Sequence, residues 1–210
     1  MKKEPRSFIP AAGHDWLLAF YDPLQRWLGA AAIVQELIEQ ANVQAGQRVL
    51  DIGCGTGSLA IALKQQHPGV EAVGLDPDPR ALAIARRKAG DAAVEIELER
   101  GFADAIPCPD NAFDRVFSSF MFHHLSRQQK TTMLSEALRV LKPEASLHLV
   151  DFGRSKAGTG GWVERLLHRS SDVRDNMHIE SFMKDAGFTR VQEISQRSTL
   201  FGTVCYHRAS

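Results

Sequence analysis

Cysteine is scarce in this 210-residue chain: Cys54, Cys108 and Cys205 lie far apart and form no C-x-x-C pair. That excludes a disulfide framework and a cysteine zinc motif, and marks the three as free thiols of a reducing compartment. There is no excess of charge, since 25 Lys and Arg balance 25 Asp and Glu at a pI near 7.1. With no broad field to recruit a polyanion, neither nucleic acid nor an anionic membrane surface is an expected partner. No apolar run approaches the roughly 18 residues of a membrane span, and the opening "MKKEPRSFIPAAGHDW" has no apolar core of a secretory signal. The expectation is a cytoplasmic protein without stable membrane insertion. Internal repeats are absent too, which excludes a solenoid. What remains is ordinary for a globular chain, 44% apolar and 24% charged, long enough for a single sizeable core and read as one domain over residues 1–210.

From residue 48 onward, short apolar runs alternate with stretches of helical period, the pattern of an α/β fold with a parallel sheet. "RVLDI" (48–52), "EAVGLD" (71–76), "VEIELERG" (94–101), "RVFSSF" (115–120) and "SLHLVDF" (146–152) are the expected strands. "SLAIALKQQH" (58–67), "PRALAIARRKAG" (79–90) and "RQQKTTMLSEALRVLK" (127–142) are the helices between them. Asp78 before Pro79 is an N-cap signal, and Gly90 marks the end of the second helix. Further on come a short helix at 163–171, a helix closed by glycine at 178–188, and two apolar runs too close together for a crossover, hence an antiparallel pair. Residues 14–41 have helical period, with Trp16, Phe20, Leu24 and Trp27 about a turn apart.

Gly53, Gly55 and Gly57 end the first strand and open the following helix, baring backbone where unpaired N–H groups favour a polar or anionic ligand group. The spacing is G-x-G-x-G. A dinucleotide fingerprint needs its third glycine where Ser58 stands. Asp76 ends the second strand, 19 residues after Gly57, placed to accept hydrogen bonds from two ribose hydroxyls.

Four blocks, "VLDIGCGTG", "VGLDPDPRALAIAR", "AIPCPDNAFDRVFSSFMFHHL" and "EALRVLKPEASLHLVDF", occur in order. Over residues 21 to 152 the chain thereby resembles the class I S-adenosylmethionine-dependent methyltransferases, in the broad group that includes the ubiquinone and menaquinone C-methyltransferases. The resemblance implies a Rossmann-like, doubly wound seven-stranded sheet, mostly parallel with an antiparallel final strand, and N-terminal lid helices. It divides the domain into a lid (1–45), a cofactor-binding core (46–152), a second lid for substrate (153–177) and a closing helix and strand pair (178–210). S-Adenosylmethionine is the implied methyl donor, S-adenosylhomocysteine the product, a small molecule the acceptor, and no metal takes part.

By the same resemblance, Asp51 with the Gly53, Gly55, Thr56 and Gly57 backbone holds the methionyl part, Asp76 the ribose diol, and Pro77 packs beside the adenine. Phe102 and Ala103 occupy the adenine edge. Phe102 departs from the family's acidic or amide residue, so its ring is expected to stack while Asp104 bonds the amino group. Ser119 matches a position lining the cofactor. Glu144 and Ala145 replace the family's Gly-Gly turn.

Methyl transfer from a sulfonium is chiefly a matter of alignment. Where a proton must also leave the acceptor, the candidates for base are His123, His124, Asp151 and Tyr21. Each has a packing alternative: one of two adjacent histidines must point away from the cleft, and Tyr21 and the aromatic stripe suit a lid. Trp162, Leu166 and Leu167 are candidates to face the acceptor, and Cys54 reads as a small packing residue. Two other readings stand beside a methyltransferase: a non-catalytic binding protein on the same fold, and an NAD(P)-dependent oxidoreductase.

Overall fold

The computed structural model describes residues 29–153, 178–199 and 202–210. Tyr21, the Trp16, Phe20, Leu24 and Trp27 stripe, the 163–171 helix, and Trp162, Leu166 and Leu167 lie outside them. In chain order the elements are α1 (Ala30–Ala41), β1 (Arg48–Ile52), α2 (Ser58–Gln66), β2 (Glu71–Asp76), α3 (Pro79–Asp91), β3 (Glu97–Arg100) and β4 (Phe113–Ser119). A 3₁₀ turn (Phe122–His124), α4 (Arg127–Val140), β5 (Leu141–Phe152), α5 (Ile179–Asp185), β6 (Val191–Thr199) and β7 (Gly202–Ala209) follow.

The seven strands form one sheet in the order β3-β2-β1-β4-β5-β7-β6. The first five pair in parallel, and β7 runs antiparallel between β5 and β6. The reversal of strand order between β1 and β4 opens the crevice where open α/β sheets bind ligands.

Central strands are apolar on both faces because helices cover both. On one side α1 contributes Ile33, Leu37, Ile38 and Ala41, and α2 adds Leu59 and Leu63, against Val49, Phe117, Val150 and Tyr206. On the other, Met133, Leu134, Ala137 and Val140 of α4 and Phe182 and Met183 of α5 pack on Leu50, Val116, Leu147 and Leu149. Truncating any of these fully buried leucines to alanine is expected to cost about 2–5 kcal/mol.

Several boundaries differ from expectation, and two of them have a clear physical reason. Gly90 does not end α3, which continues through Asp91; the left-handed residue beyond it is Ala93, at φ 52°. Asp78 caps the other end as expected, its side chain accepting from the Arg80 N–H at 2.9 Å. The second difference is at α4, which stops at Val140, two residues early, with β5 starting directly at Leu141. Pro143 disfavours helix for the residue before it. Phe113 pairs with Leu141 and Arg115 with Ser146, so two steps on β4 match five on β5. Glu144 sits in this irregularity at φ 64°, where the resembling family has glycine.

Candidate active site

The C-terminal ends of β1, β2 and β4 border a cavity of about 390 Å³, closed by the loop after β3, the 3₁₀ turn and the first residues of α1 and α4. Its floor is the glycine loop. Gly53, Gly55 and Gly57 all take left-handed backbone, at φ 73°, 52° and 78°, each costing an ordinary residue about 1–2 kcal/mol. The N–H groups of Gly53 and Cys54 both donate to the Leu75 carbonyl, at 2.8 and 3.0 Å, tying the loop to β2. A Cβ on Gly53 would lie 2.3 Å from Met121 Cγ, whereas one on Gly55 would meet nothing within 4 Å. So Gly53 makes room for a neighbouring side chain, and Gly55 leaves bare backbone facing open space.

Asp76 lines the cavity and props the loop. Its Oδ2 accepts from the Gly55 N–H at 2.9 Å and its Oδ1 from the Asp78 N–H at 2.8 Å. Each carboxylate oxygen has two lone-pair directions, so each retains one for a ligand hydroxyl. Burial lifts the Asp76 pKa above its usual value, opposed by these two N–H bonds. Asp51 is 2% exposed, and neither of its oxygens has a hydrogen-bond partner. Burial, with the nearby Asp76 charge second, raises its pKa to about 7. A buried carboxyl without hydrogen-bond partners calls for a cationic or N–H donor, which would also favour its ionised form.

Of the residues expected at the cofactor, Thr56, Pro77, Phe102, Ala103, Asp104 and Ser119 line the cavity as well, whereas Asp51 and Gly57 do not line it. The Ala105 N–H donates to the Phe102 carbonyl at 3.1 Å, folding this loop tightly. Cys54 also forms part of the wall, but its Sγ packs against Gly74, where a Cβ would sit only 2.9 Å away. Burial and then Asp51 and Asp76 push its thiol well above the usual range, which suits packing rather than nucleophilic attack.

The structure separates the two histidines. His123 and Asp151 do not line the cavity. They hold each other, with Nδ1 to Oδ1 at 2.7 Å and the His123 N–H donating to Oδ2 at 3.1 Å; the Phe152 N–H adds a 2.7 Å bond to Oδ1. Burial opposes charge on His123, but Asp151 outweighs it and holds the pKa above its usual value. His124 does line the cavity, with its ring centroid 4.0 Å from that of His123. Burial, then the neighbouring His123, lowers its pKa to about 4.

Reasoning from sequence missed Met121, Leu125 and Gln129 at this end, and Ala30 and Val34 of α1. One signal was present: Ser126 and Gln129 form a capping box, with the Ser126 hydroxyl accepting from the Gln129 N–H and Gln129 Oε1 from the Ser126 N–H. That box fixes the start of α4 at the cavity rim.

A parallel sheet whose order reverses beside a G-x-G-x-G loop, with an acidic residue ending β2, defines the class. The chain belongs to the class I S-adenosylmethionine-dependent methyltransferases, and it is an enzyme of that kind. The methyltransferase domain family matches residues 49–144. Demethylmenaquinone methyltransferase of Thermus thermophilus is 39% identical over 149 residues, 70% of this chain and 67% of that protein. The Deinococcus radiodurans protein of the same name is 40% identical over 140 residues, 67% of this chain but only 55% of its own length. A crystal structure of a SAM-dependent methyltransferase from Aquifex aeolicus superposes with a TM-score of 0.66, covering 84% of this chain and 88% of that one. At 23% identity, that likeness bears on fold alone.

Among the described residues, no helix is long and apolar enough to cross a membrane.

Proposed function

We propose that the acceptor is a small, largely apolar ring compound of the quinol type, methylated at carbon. The observation that carries this is the continuity of the cavity from Asp76 and the glycine loop to a wall of Val34, Phe120, Met121 and Leu125 with His124 beside them. The names of the two bacterial relatives point the same way.

The residues present fit the donor. Asp51, buried with two oxygens lacking partners, suits an ammonium group, and with the loop backbone it would hold the amino-acid end. Asp76 would hold the ribose hydroxyls on its remaining lone pairs. Pro77, Phe102 and Ala103 would enclose the adenine, Asp104 would meet its amino group, and Ser119 would border the same ligand. When bound, S-adenosylmethionine supplies a methyl group on a sulfonium, an electrophile needing no further activation.

What the chain adds is alignment and a place for the proton. Fixing two reactants in near-attack geometry is worth about 7–11 kcal/mol. His124, neutral at physiological pH because of its lowered pKa, accepts the hydrogen bond of a ring hydroxyl and so orients the ring. Its low basicity is sufficient because attack of the ring carbon on the methyl, with the C–S bond breaking, would leave the ring electron-poor and the hydroxyl acidic. The hydroxyl proton would pass to His124, and the proton of the methylated carbon would then move to the ring oxygen to restore the aromatic quinol. His123 and Asp151 are positioning residues that hold the turn carrying His124.

The test is to incubate the enzyme with the donor and a set of quinols and simple phenols, then read the masses. A demethylmenaquinol-type ring is expected to gain one methyl on carbon. Transfer to oxygen or nitrogen acceptors, with the quinols untouched, would overturn the assignment.

A further inference from the structure

On the sheet face away from α1, the β6–β7 pair brings three metal-ligating side chains together, outside the cavity described above. Glu193 lies opposite His207 in the register, and Cys205 precedes His207 by two residues, on the same face of β7. The carboxylate oxygen, thiol sulfur and imidazole nitrogen lie within 4.8 Å of one another. From these donors we infer that Glu193, Cys205 and His207 bind one divalent ion of the zinc type.

Sulfur, imidazole and carboxylate together are the donor set that zinc takes. With bonds of about 2.0–2.3 Å in a tetrahedron, adjacent donors stand roughly 3.5 Å apart, so the cluster needs only a small contraction. Its two deeper members are already fixed: Cys205 is 2% and His207 5% exposed. The Cys205 sulfur rests on Gly153, where a Cβ would come within 2.3 Å of it. Glu193 is oriented from behind, its Oε1 accepting from Gln196 Nε2 at 3.1 Å, the kind of outer hydrogen bond that aims a ligating carboxylate. Glu193 is also the half-buried member, on the side from which an ion arrives. Three protein donors leave a fourth position for water. No C-x-x-C spacing marks this site, because Cys205 and His207 meet on one face through the strand's period of two.

The whole chain, stripped with chelator, is titrated with zinc and, separately, with cobalt. Binding of one equivalent is expected, with a rise in melting temperature and, for cobalt, a thiolate charge-transfer band. Cys205→Ser and His207→Ala should each weaken zinc binding at least tenfold and Cys205→Ser should abolish the band. Glu193→Gln, at the half-buried position, should weaken binding at least fivefold while leaving the metal-free melting temperature near that of the parent. Binding below one equivalent, affinity unchanged in Glu193→Gln, or a cobalt complex without the thiolate band would each overturn the inference.

Discussion

The two ends of the cavity are built from different materials. At the glycine-loop end the surface is mostly main chain: three left-handed glycines, N–H groups committed to Leu75 and Asp76, and buried carboxylates. At the opposite end it is side chains, with His124, Met121, Leu125 and Gln129 lining it from a short turn and a helix start. Backbone recognition tolerates almost no substitution, whereas a side-chain wall can be changed one residue at a time without disturbing the fold. On the proposed assignment, the glycine-loop end would meet the donor and the side-chain end the acceptor.

The sharpest way to break that division is Gly53→Ala. Left-handed strain of about 1–2 kcal/mol adds to overlap with Met121 worth about 1–3 kcal/mol. Stability in denaturant should fall by about 2 kcal/mol or more, with a matching loss of donor affinity by calorimetry. Adding Met121→Ala should recover the overlap but not the strain. Full recovery would mean that the backbone conformation is not what matters.

His124→Gln tests the other end. Turnover should fall about 100-fold, the scale of a lost proton acceptor, while donor affinity stays within about twofold. Equal loss in both would erase the distinction between the two ends.

Asp51 gives a pH signature. Its pKa is about 7 in the folded chain against an ordinary 3.8, so its unfavourable burial is absent below about pH 4. Stability from this group is then lost as pH rises to 7. Asp51→Asn should flatten that part of the melting-temperature profile. An ammonium beside the carboxylate favours the charged form, so donor binding should release a proton and tighten about tenfold from pH 6 to 8 in the parent, and not in the variant. Parallel profiles would count against Asp51 as the ammonium partner.

The smallest effects lie away from the cavity. Glu144→Gly, relieving a left-handed glutamate, and Gly90→Ala, filling open space within a helix, should each stabilise by about 0.5–1 kcal/mol without altering donor affinity.

The same division explains what could be read in advance. β1 and β2 run over the residues expected, and α2 ends one residue short of its expected span, because β-branched runs, the glycines and Asp78–Pro79 are local signals that agree with the fold. The spacing from Gly57 to Asp76 is a property of one βαβ unit, so the glycine loop and Asp76 could be placed at one sheet edge together. Gly90 misled because a helix end is decided by packing as well as by residue type: Ala93 takes the left-handed turn that a glycine would have advertised. Which of His123 and His124 faces the cavity depends on the hand of a single 3₁₀ turn and on Asp151, 28 residues away, so no local pattern carries it. Met121 was likewise invisible, since its place over Gly53 joins the ends of two different strands.

The insertion of β7 between β5 and β6 has a consequence for synthesis. Until β7 is made, one edge of β5, with buried Leu147, Leu149 and Val150 along it, has no partner. β5 ends at Phe152 and β7 begins at Gly202, about 50 residues later, which at ~5–20 residues per second leaves that edge unpaired for roughly 3–10 seconds. An apolar strand edge open for that long is a template for pairing with another chain, and the order of synthesis keeps β5 in that condition until the antiparallel strand β7 is complete.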